Sequence, residues 1–479
     1  MVAATLEKLR SLFWEAPDTV VTPFGEFSNN NEPDPKYQTA VTRPWSQTCW
    51  TPAAGYIYPD HVDDLCEAFS MVSAMGTKFA VRTTGHNPNV GFSSADETAI
   101  VLDIGKLKTK ELAHNKKTAR VGAGNTWGEV YAWLEEQGLS VIGGRDSQVG
   151  LGGFLLGGGM GALPNFHGLG ADGVKKFEVL LASGCEIWTN AADKPDLFRA
   201  LKGGGSNFGI VTAFELETHP LIKVQYTINL YNPEDHVAIN QATVSVQQAM
   251  EEDPKIGLFT NFNNGFVAVG LFYGDHPAEP PKAFEPFHSL KSLMTTAVPS
   301  TNGTILSLAQ AMGHAQTSQK RTISTVTTRV SQELYEEVYN TWVDVCKTLP
   351  TGAVLHYTIQ PMGTAGVQAG KDRGGNIMGL ESVPQCWWVF TCEWPQDGSD
   401  DAAAQKAVDT MSETVQSLAK ARGALLDFKC MTFANATQKV LGSYGAENVK
   451  LMQEVAAKYD PKGVFQKQQN GGFLLRDNI

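Results

Sequence analysis

The spacing of apolar positions changes several times along the chain, and each change predicts an element. After Pro59 and Asp60, residues Val62, Leu65, Cys66, Phe69 and Val72 recur at three- and four-residue intervals, so a helix is expected, with Asp60 placed to cap its first turn. Strand-like runs follow at 78–85 (KFAVRTTG), 98–105 (TAIVLDIG) and 118–124 (TARVGAG). TWGEVYAWLEEQG returns to a helical period, with Asn125 or Thr126 as its N-cap and Gly138 as its stop. A further strand, FEVLLASG, is expected at 177–184. Beyond residue 221 the texture shifts to longer strands (VQYTINLY, GLFTNF, FVAVGLFYG, AVLHYTIQ, WWVFTCEW) between long amphipathic helices. That is the pattern of an antiparallel sheet with helices on one face. A last helix, 446–458, ends at YDPKGVF, and no internal repeat or low-complexity linker interrupts the chain.

Glycine is the one compositional excess, 47 residues, and it is concentrated where the first pattern gives way to the second. GLGGFLLGGGMG stands at 150–161 and LKGGGSNFGIVTAFELETHP at 201–220. Such turns serve either tight reversals alone or a backbone folded closely around a large ligand, because glycine lets N–H groups approach without a Cβ in the way. The known nucleotide motifs fit poorly. No GxxxxGK[ST] occurs, which removes a P-loop. A loose GxGxxA at Gly157, Gly159 and Ala162, with Glu178 downstream, makes a nicotinamide-binding Rossmann unit the second cofactor reading. Against it, Glu178 opens a strand that it should close, and FLL is short for a first strand.

Length and charge narrow the function classes. A chain of 479 residues buries a sizeable core, and 42% hydrophobic with 18% charged residues is the composition of a globular enzyme. The net charge of -12 disfavours nucleic acid and anionic membrane surfaces as partners. No apolar run reaches the roughly 18 residues of a membrane span, and Glu7, Lys8, Arg10 and Glu15 interrupt any leader-like segment, so a cytoplasmic protein is expected. Seven cysteines without a CxxC pair suggest neither a disulfide framework nor a zinc site, and no metal is expected.

Five ordered segments carry a resemblance: Arg82-Thr83-Thr84-Gly85-His86, then GAGNTWGEVYAWL, then VGLGGFLLGGGMG with HGLGADGV, then LKGGGSNFGIVTAFELE, and finally SYGAEN with YDPKGVF. Together they resemble the vanillyl-alcohol oxidase family of flavoproteins, in particular its fungal berberine-bridge-enzyme-like branch. Between 221 and 430 the likeness is one of texture, with fragments such as Asn376-Ile377-Met378-Gly379-Leu380. The resemblance implies an α+β fold of two domains: an FAD domain from 1–220 (core 47–220) completed by 431–479, and a substrate domain from 221–430 whose antiparallel sheet covers the flavin. It also implies covalent attachment of FAD through His86, which prevents dissociation and makes the flavin more oxidising. Backbone groups of Thr83, Thr84, Gly85, His86 and Asn87 would cradle the pyrophosphate. Arg82, Val149, Gly150, Gly152, Gly153, Gly159, Gly161, Val174, Gly209, Ile210 and Asn435 complete the implied cofactor set. Relatives often add a second link from a cysteine, but Asp146 occupies that position, so one covalent bond is expected. Phe154 likewise replaces a histidine found in plant relatives.

The implied reaction removes a hydride from a small organic substrate, a secondary metabolite, with O2 as final acceptor. Relatives supply a tyrosine base from a YxNY segment, whereas this chain reads Phe433-Ala434-Asn435-Ala436. In AVLHYTIQ, strict alternation puts His356, Thr358 and Gln360 on one face and Tyr357 on the other. His356 is the candidate substitute base, since its intrinsic pKa suits the task. Asp146 is a further acid/base candidate, and Tyr357, Trp387 and Trp388 are expected pocket walls. Two rivals stand beside the oxidase: a flavin-dependent isomerase or cyclase, and a flavin-binding protein without chemistry.

Overall fold

The computed structural model describes residues 1–24, 33–313, 319–396 and 400–479. Helix Val62–Ala74 forms as expected and buries Leu65, Phe69 and Val72, but its start differs. Its N-cap is His61, whose N–H donates to Asp64 at 3.1 Å, while Asp60 pairs with Lys106 at 2.7 Å. Helix Trp127–Glu135 is capped by Thr126, with Glu129 closing a reciprocal capping box.

Two small sheets make up most of the first half. Gly55–Ile57 and Lys78–Arg82 lie parallel on either side of Ala99–Asp103, and Val20–Val21 extends the edge antiparallel. Lys110–Leu112, Thr118–Gly122, Ile210–Glu217, Val174–Leu180 and Glu186–Asn190 form a five-stranded antiparallel sheet in that spatial order. Their apolar faces share one core with the glycine-rich turns and with the C-terminal helices Ala446–Tyr459 and Val464–Lys467.

The second half is an eight-stranded antiparallel sheet. Its middle consists of Ile256–Asn263, Val354–Met362, Gln385–Trp394 and Lys320–Arg329, in that order. Helices His236–Ala249, Gln332–Cys346 and Asp401–Ala421 cover one face and build a separate apolar core with it. The other face looks toward the glycine-rich half, where Trp387 packs on Phe428 with ring centroids 4.9 Å apart. Among the described residues no helix is long and apolar enough to cross a membrane.

The Rossmann reading fails in the structure. Glu178 sits inside a strand and is held by Arg120 at 2.5 Å, and the GxGxxA segment follows a short helix, Leu151–Leu156, with no strand before it.

Candidate functional site

Strand Lys78–Arg82 ends at the RTTGH turn, and its register on Ala99–Asp103 places Arg82 opposite Asp103. The Arg82 guanidinium is fully committed there: Nε donates to Asp103 at 2.6 Å, and other nitrogens reach Ala40 O and Tyr58 Oη. Its side chain is therefore structural, a correction to the expectation that it contacts the cofactor. Arg43 joins the same carboxylate and also donates to Thr83 O, so two cations pin the base of the turn.

The turn itself is built for a ligand approached by backbone. Gly85 has φ +77°, and a Cβ there would lie 3.2 Å from Pro44 Cα. Facing it, Gly150 and Gly152 press on the side chains of Thr84 and Thr83, where added Cβ atoms would stand only 2.6 and 3.0 Å away. Among the described residues the backbone N–H groups of Thr84, Gly85 and Asn87 donate to no protein acceptor, as the chain leaves the strand without entering another element. Consecutive free donors in a turn suit a pyrophosphate, which takes its hydrogen bonds from backbone and needs no cationic side chain. Gly153 faces open space, while Gly159, Gly161 and Gly209 are needed for close packing against Phe154, Gly143 and Val179. Val174 and Ile210 are the buried first residues of two paired antiparallel strands and so stand at opposite ends of the pair.

His86 lies just beyond the turn, its ring stacked on Trp45 at 4.3 Å, and the Arg321 guanidinium sits 4.2 Å from the same indole. Arg321 is paired with Glu393 at 2.7 Å, so this stack ties the histidine to the edge of the large sheet. Asn89, three residues on, grips the C-terminal segment from both ends: its amide donates to Ala434 O at 3.0 Å and accepts from the Ala436 N–H at 2.8 Å. The FANA segment is thus brought directly to the His86 loop. Asn435 itself is turned aside, its amide donating to Asp409 at 3.2 Å and accepting from the Thr437 N–H at 2.9 Å. It positions this loop against the long helix.

The large sheet offers a polar face to the same region. Cross-strand pairing sets Thr327, Trp387 and Gln360 in one row, Thr325, Val389, Thr358 and Asn261 in the next, and Thr391 with His356 in a third. Gln360 is 2% exposed and Thr327 1%, yet Gln360 Oε1 and Thr327 Oγ1 have no hydrogen-bond partner among the described residues. Unsatisfied buried polar atoms are costly, which marks this row as one that awaits a ligand or water. Asn261 donates to His356 Nδ1 at 3.1 Å and to Thr358 Oγ1 at 2.9 Å.

Tyr357 and Trp388 point the other way. Tyr357 is fully buried among the helices, stacked on Phe262 at 4.8 Å, with no partner for its hydroxyl among the described residues, and burial raises its pKa far above that of an ordinary phenol. Trp388 packs edge-on to Tyr335 at 4.9 Å in the same core. Neither is a pocket wall. Both faces of these central strands are buried, so alternation separates the two sets without saying which one faces the site. Trp387 is on the expected side.

Asp146 caps its own turn, accepting from the Gln148 N–H at 2.9 Å, and is 6% exposed. Val149 donates to Asp146 O and its carbonyl accepts from Trp127 N–H at 3.0 Å, which bolts the turn to helix Trp127–Glu135. Phe154 packs edge-on to Trp127 at 5.1 Å. Sequence reasoning overlooked Thr327, whose buried Oγ1 has no hydrogen-bond partner among the described residues; no local pattern singled it out within its strand.

Known proteins resemble this chain in sequence and in fold. Residues 53–190 match the family model of an FAD binding domain. An FAD-dependent monooxygenase of Arthrobotrys oligospora is 37% identical over 440 residues, covering 91% of this chain and 85% of that protein. An FAD-dependent monooxygenase of Penicillium terrestre is 32% identical, covering 93% and 86%. Among solved structures, glucooligosaccharide oxidase from Acremonium strictum superposes with a TM-score of 0.77 at 18% identity, covering 97% of each chain. That oxidase is described as carrying a 6-S-cysteinyl, 8α-N1-histidyl FAD.

Proposed function

Because the chain belongs to the FAD-dependent oxidoreductases of the vanillyl-alcohol oxidase family, in their berberine-bridge-enzyme-like branch, we propose that it oxidises a small secondary metabolite with FAD held by a single covalent bond, at His86. The observation that carries this reading is the meeting of the RTTGH turn, where the N–H groups of Thr84 and Gly85 have no acceptor among the described residues, and the FANA segment through Asn89. In this reading residues 1–220 and 431–479 hold the cofactor and residues 221–430 cover it. FAD, when bound, accepts a hydride from a substrate C–H and passes the electron pair to O2. The protein's part is to hold and orient. Backbone donors of 83–87 fix the pyrophosphate, the stack of His86 on Trp45 orients the imidazole, and the Thr327, Gln360, Thr358 face receives the substrate.

Asp146, unlike a cysteine, cannot form a thioether, so a single link is proposed where the Acremonium oxidase is described with two. Val149 borders the oxygen approach and leaves it open, since a bulkier side chain would narrow a path only as wide as O2. A second reading, isomerisation or cyclisation without net redox change, is favoured by one observation: Phe433 and Ala436 carry no hydroxyl where relatives place tyrosines. Substrate-dependent release of H2O2, one per turnover, supports the oxidase. Turnover without H2O2 and without 18O from O2 in the product supports the isomerase, and 18O in the product identifies a monooxygenase. Failure of any substrate to bleach the flavin anaerobically points to a binding protein.

A further inference from the structure

Residues 45–49 bridge the two halves of the molecule, and the Trp45 ring on that bridge touches both His86 and the large sheet. On one side the bridge follows the cofactor turn. Trp45 N–H donates to Gly85 O at 3.1 Å, Cys49 Sγ to Asn87 O at 3.2 Å and Thr48 Oγ1 to Pro88 O at 3.1 Å, so the backbone on either side of His86 is bracketed. On the other side it lies along the start of strand Lys320–Arg329, where Gln47 N–H donates to Gln319 O and Arg321 N–H to Ser46 Oγ, both at 2.9 Å. Arg321 holds Trp45 at two points. Its Nη1 donates to Trp45 O at 2.8 Å, and its guanidinium lies over the same indole on which the His86 ring is stacked, the two ring planes 14° apart. The guanidinium is itself anchored: Arg321 is 3% exposed and pairs with Glu393 on the neighbouring strand at 2.7 Å. Trp45 Nε1 has no hydrogen-bond partner among the described residues, so the indole is placed by its face contacts and not by a bond at its edge.

Resting on the flavoenzyme reading above, we propose that Arg321, a residue of the second half, is a positioning residue for cofactor attachment, which through Trp45 fixes the plane in which the His86 imidazole meets the flavin methyl group. The lone pair by which an imidazole nitrogen forms a bond lies in the plane of its ring, so a neighbour stacked on the face sets the direction of attack and leaves the edge open. Attachment forms a bond from an imidazole nitrogen to the methyl carbon and breaks the imidazole N–H and one methyl C–H. Two protons and two electrons leave, and O2 takes them as H2O2. Arg321 has no share in that exchange. It acts on geometry alone, where a misplacement of about 1 Å costs about a hundredfold in rate. A consequence for assembly follows. Linkage waits until residues 319–321 have docked on residues 45–47, so the cofactor becomes covalent only in a chain whose second half is in place.

The test separates linkage from binding. Total flavin per protein is read from the visible spectrum of the purified protein, linked flavin from the acid-insoluble share, and the disappearance of the unlinked share is followed with excess FAD in air. Trp45→Leu, which removes the ring, and Arg321→Met, which keeps the stem and removes the guanidinium, should bind flavin as wild type does and link it about tenfold more slowly. Trp45→Phe keeps a stacking ring and should recover most of the rate, and Arg321→Lys, which keeps the cation without the planar fork, part of it. A seam that is merely structural would lower total flavin and Tm together and leave the linked share of the bound flavin unchanged. That result overturns the proposal, as does wild-type linkage in folded Trp45→Leu and Arg321→Met, and either leaves attachment at His86 intact. Wild-type flavin that is bound yet wholly acid-soluble overturns attachment and positioning together, and a flavin-free wild type removes the flavoenzyme reading with them.

Discussion

The two halves of the molecule meet at one site and contribute to it by different means. The first half offers main chain: the RTTGH turn with Gly150 and Gly152 pressed against it leaves no room for added side chains and presents N–H groups. The second half offers side chains projecting from one face of a sheet, Thr327, Gln360 and Thr358 flanking Trp387. A backbone cradle constrains residue type, because each close approach excludes a Cβ, and so it leaves a motif. A sheet face constrains only alternation, and its chemistry can change one side chain at a time while the fold stays the same.

Gly150→Ala should break the cradle most severely. Its Cβ would stand 2.6 Å from Thr84 Oγ1, an overlap that costs about 1–3 kcal/mol, and bound flavin per protein should drop well below the wild-type ratio, with a lowered Tm. On the sheet, two neighbouring variants should diverge. Gln360→Leu should lower kcat/KM about tenfold, the equivalent of one lost hydrogen bond, whereas Tyr357→Phe, on the opposite face with an unpartnered hydroxyl, should leave turnover as it is and hold or raise Tm. Equal effects of the two would mean that the faces have been assigned wrongly.

Val149→Ile should slow reoxidation of the reduced enzyme by O2 several-fold and leave reduction by substrate nearly unchanged, as stopped-flow mixing would show. An unaltered reoxidation rate would remove Val149 from the oxygen path. The smallest effect is expected at the seam between the halves, where His167 stacks on His219 at 4.0 Å and Arg373 donates to His167 O. Burial, then the neighbouring His219 and Arg373, lowers the His167 pKa to about 4. The unfolded chain then binds more protons than the native one below the ordinary histidine pKa, so stability from this group is full at neutral pH and is lost as pH falls toward 4. Tm measured across that range should fall less steeply in His167→Phe.

What could be read from sequence follows the same division. Helix Trp127–Glu135 was legible to its cap, because Thr126 and Glu129 satisfy orphan N–H groups by a local rule. The alternating face of Val354–Met362 was legible as two sets of residues, yet Tyr357 and Trp388 turned out to line the helix-side core, since burial on both faces erases the polar signal that would orient the strand. Arg82 shows the opposite error: it belongs to a ligand-binding motif and spends its whole side chain on Asp103, which no local pattern announces from 21 residues away.

Attachment at His86 is the most direct test of the whole account. Wild-type protein precipitated with acid should carry its yellow colour into the pellet, and tryptic mapping should find one flavinylated peptide, the one containing His86, while His86→Ala releases its flavin to the supernatant. Wild-type flavin that stays in the supernatant, or a flavin bonded to any other residue, would contradict it.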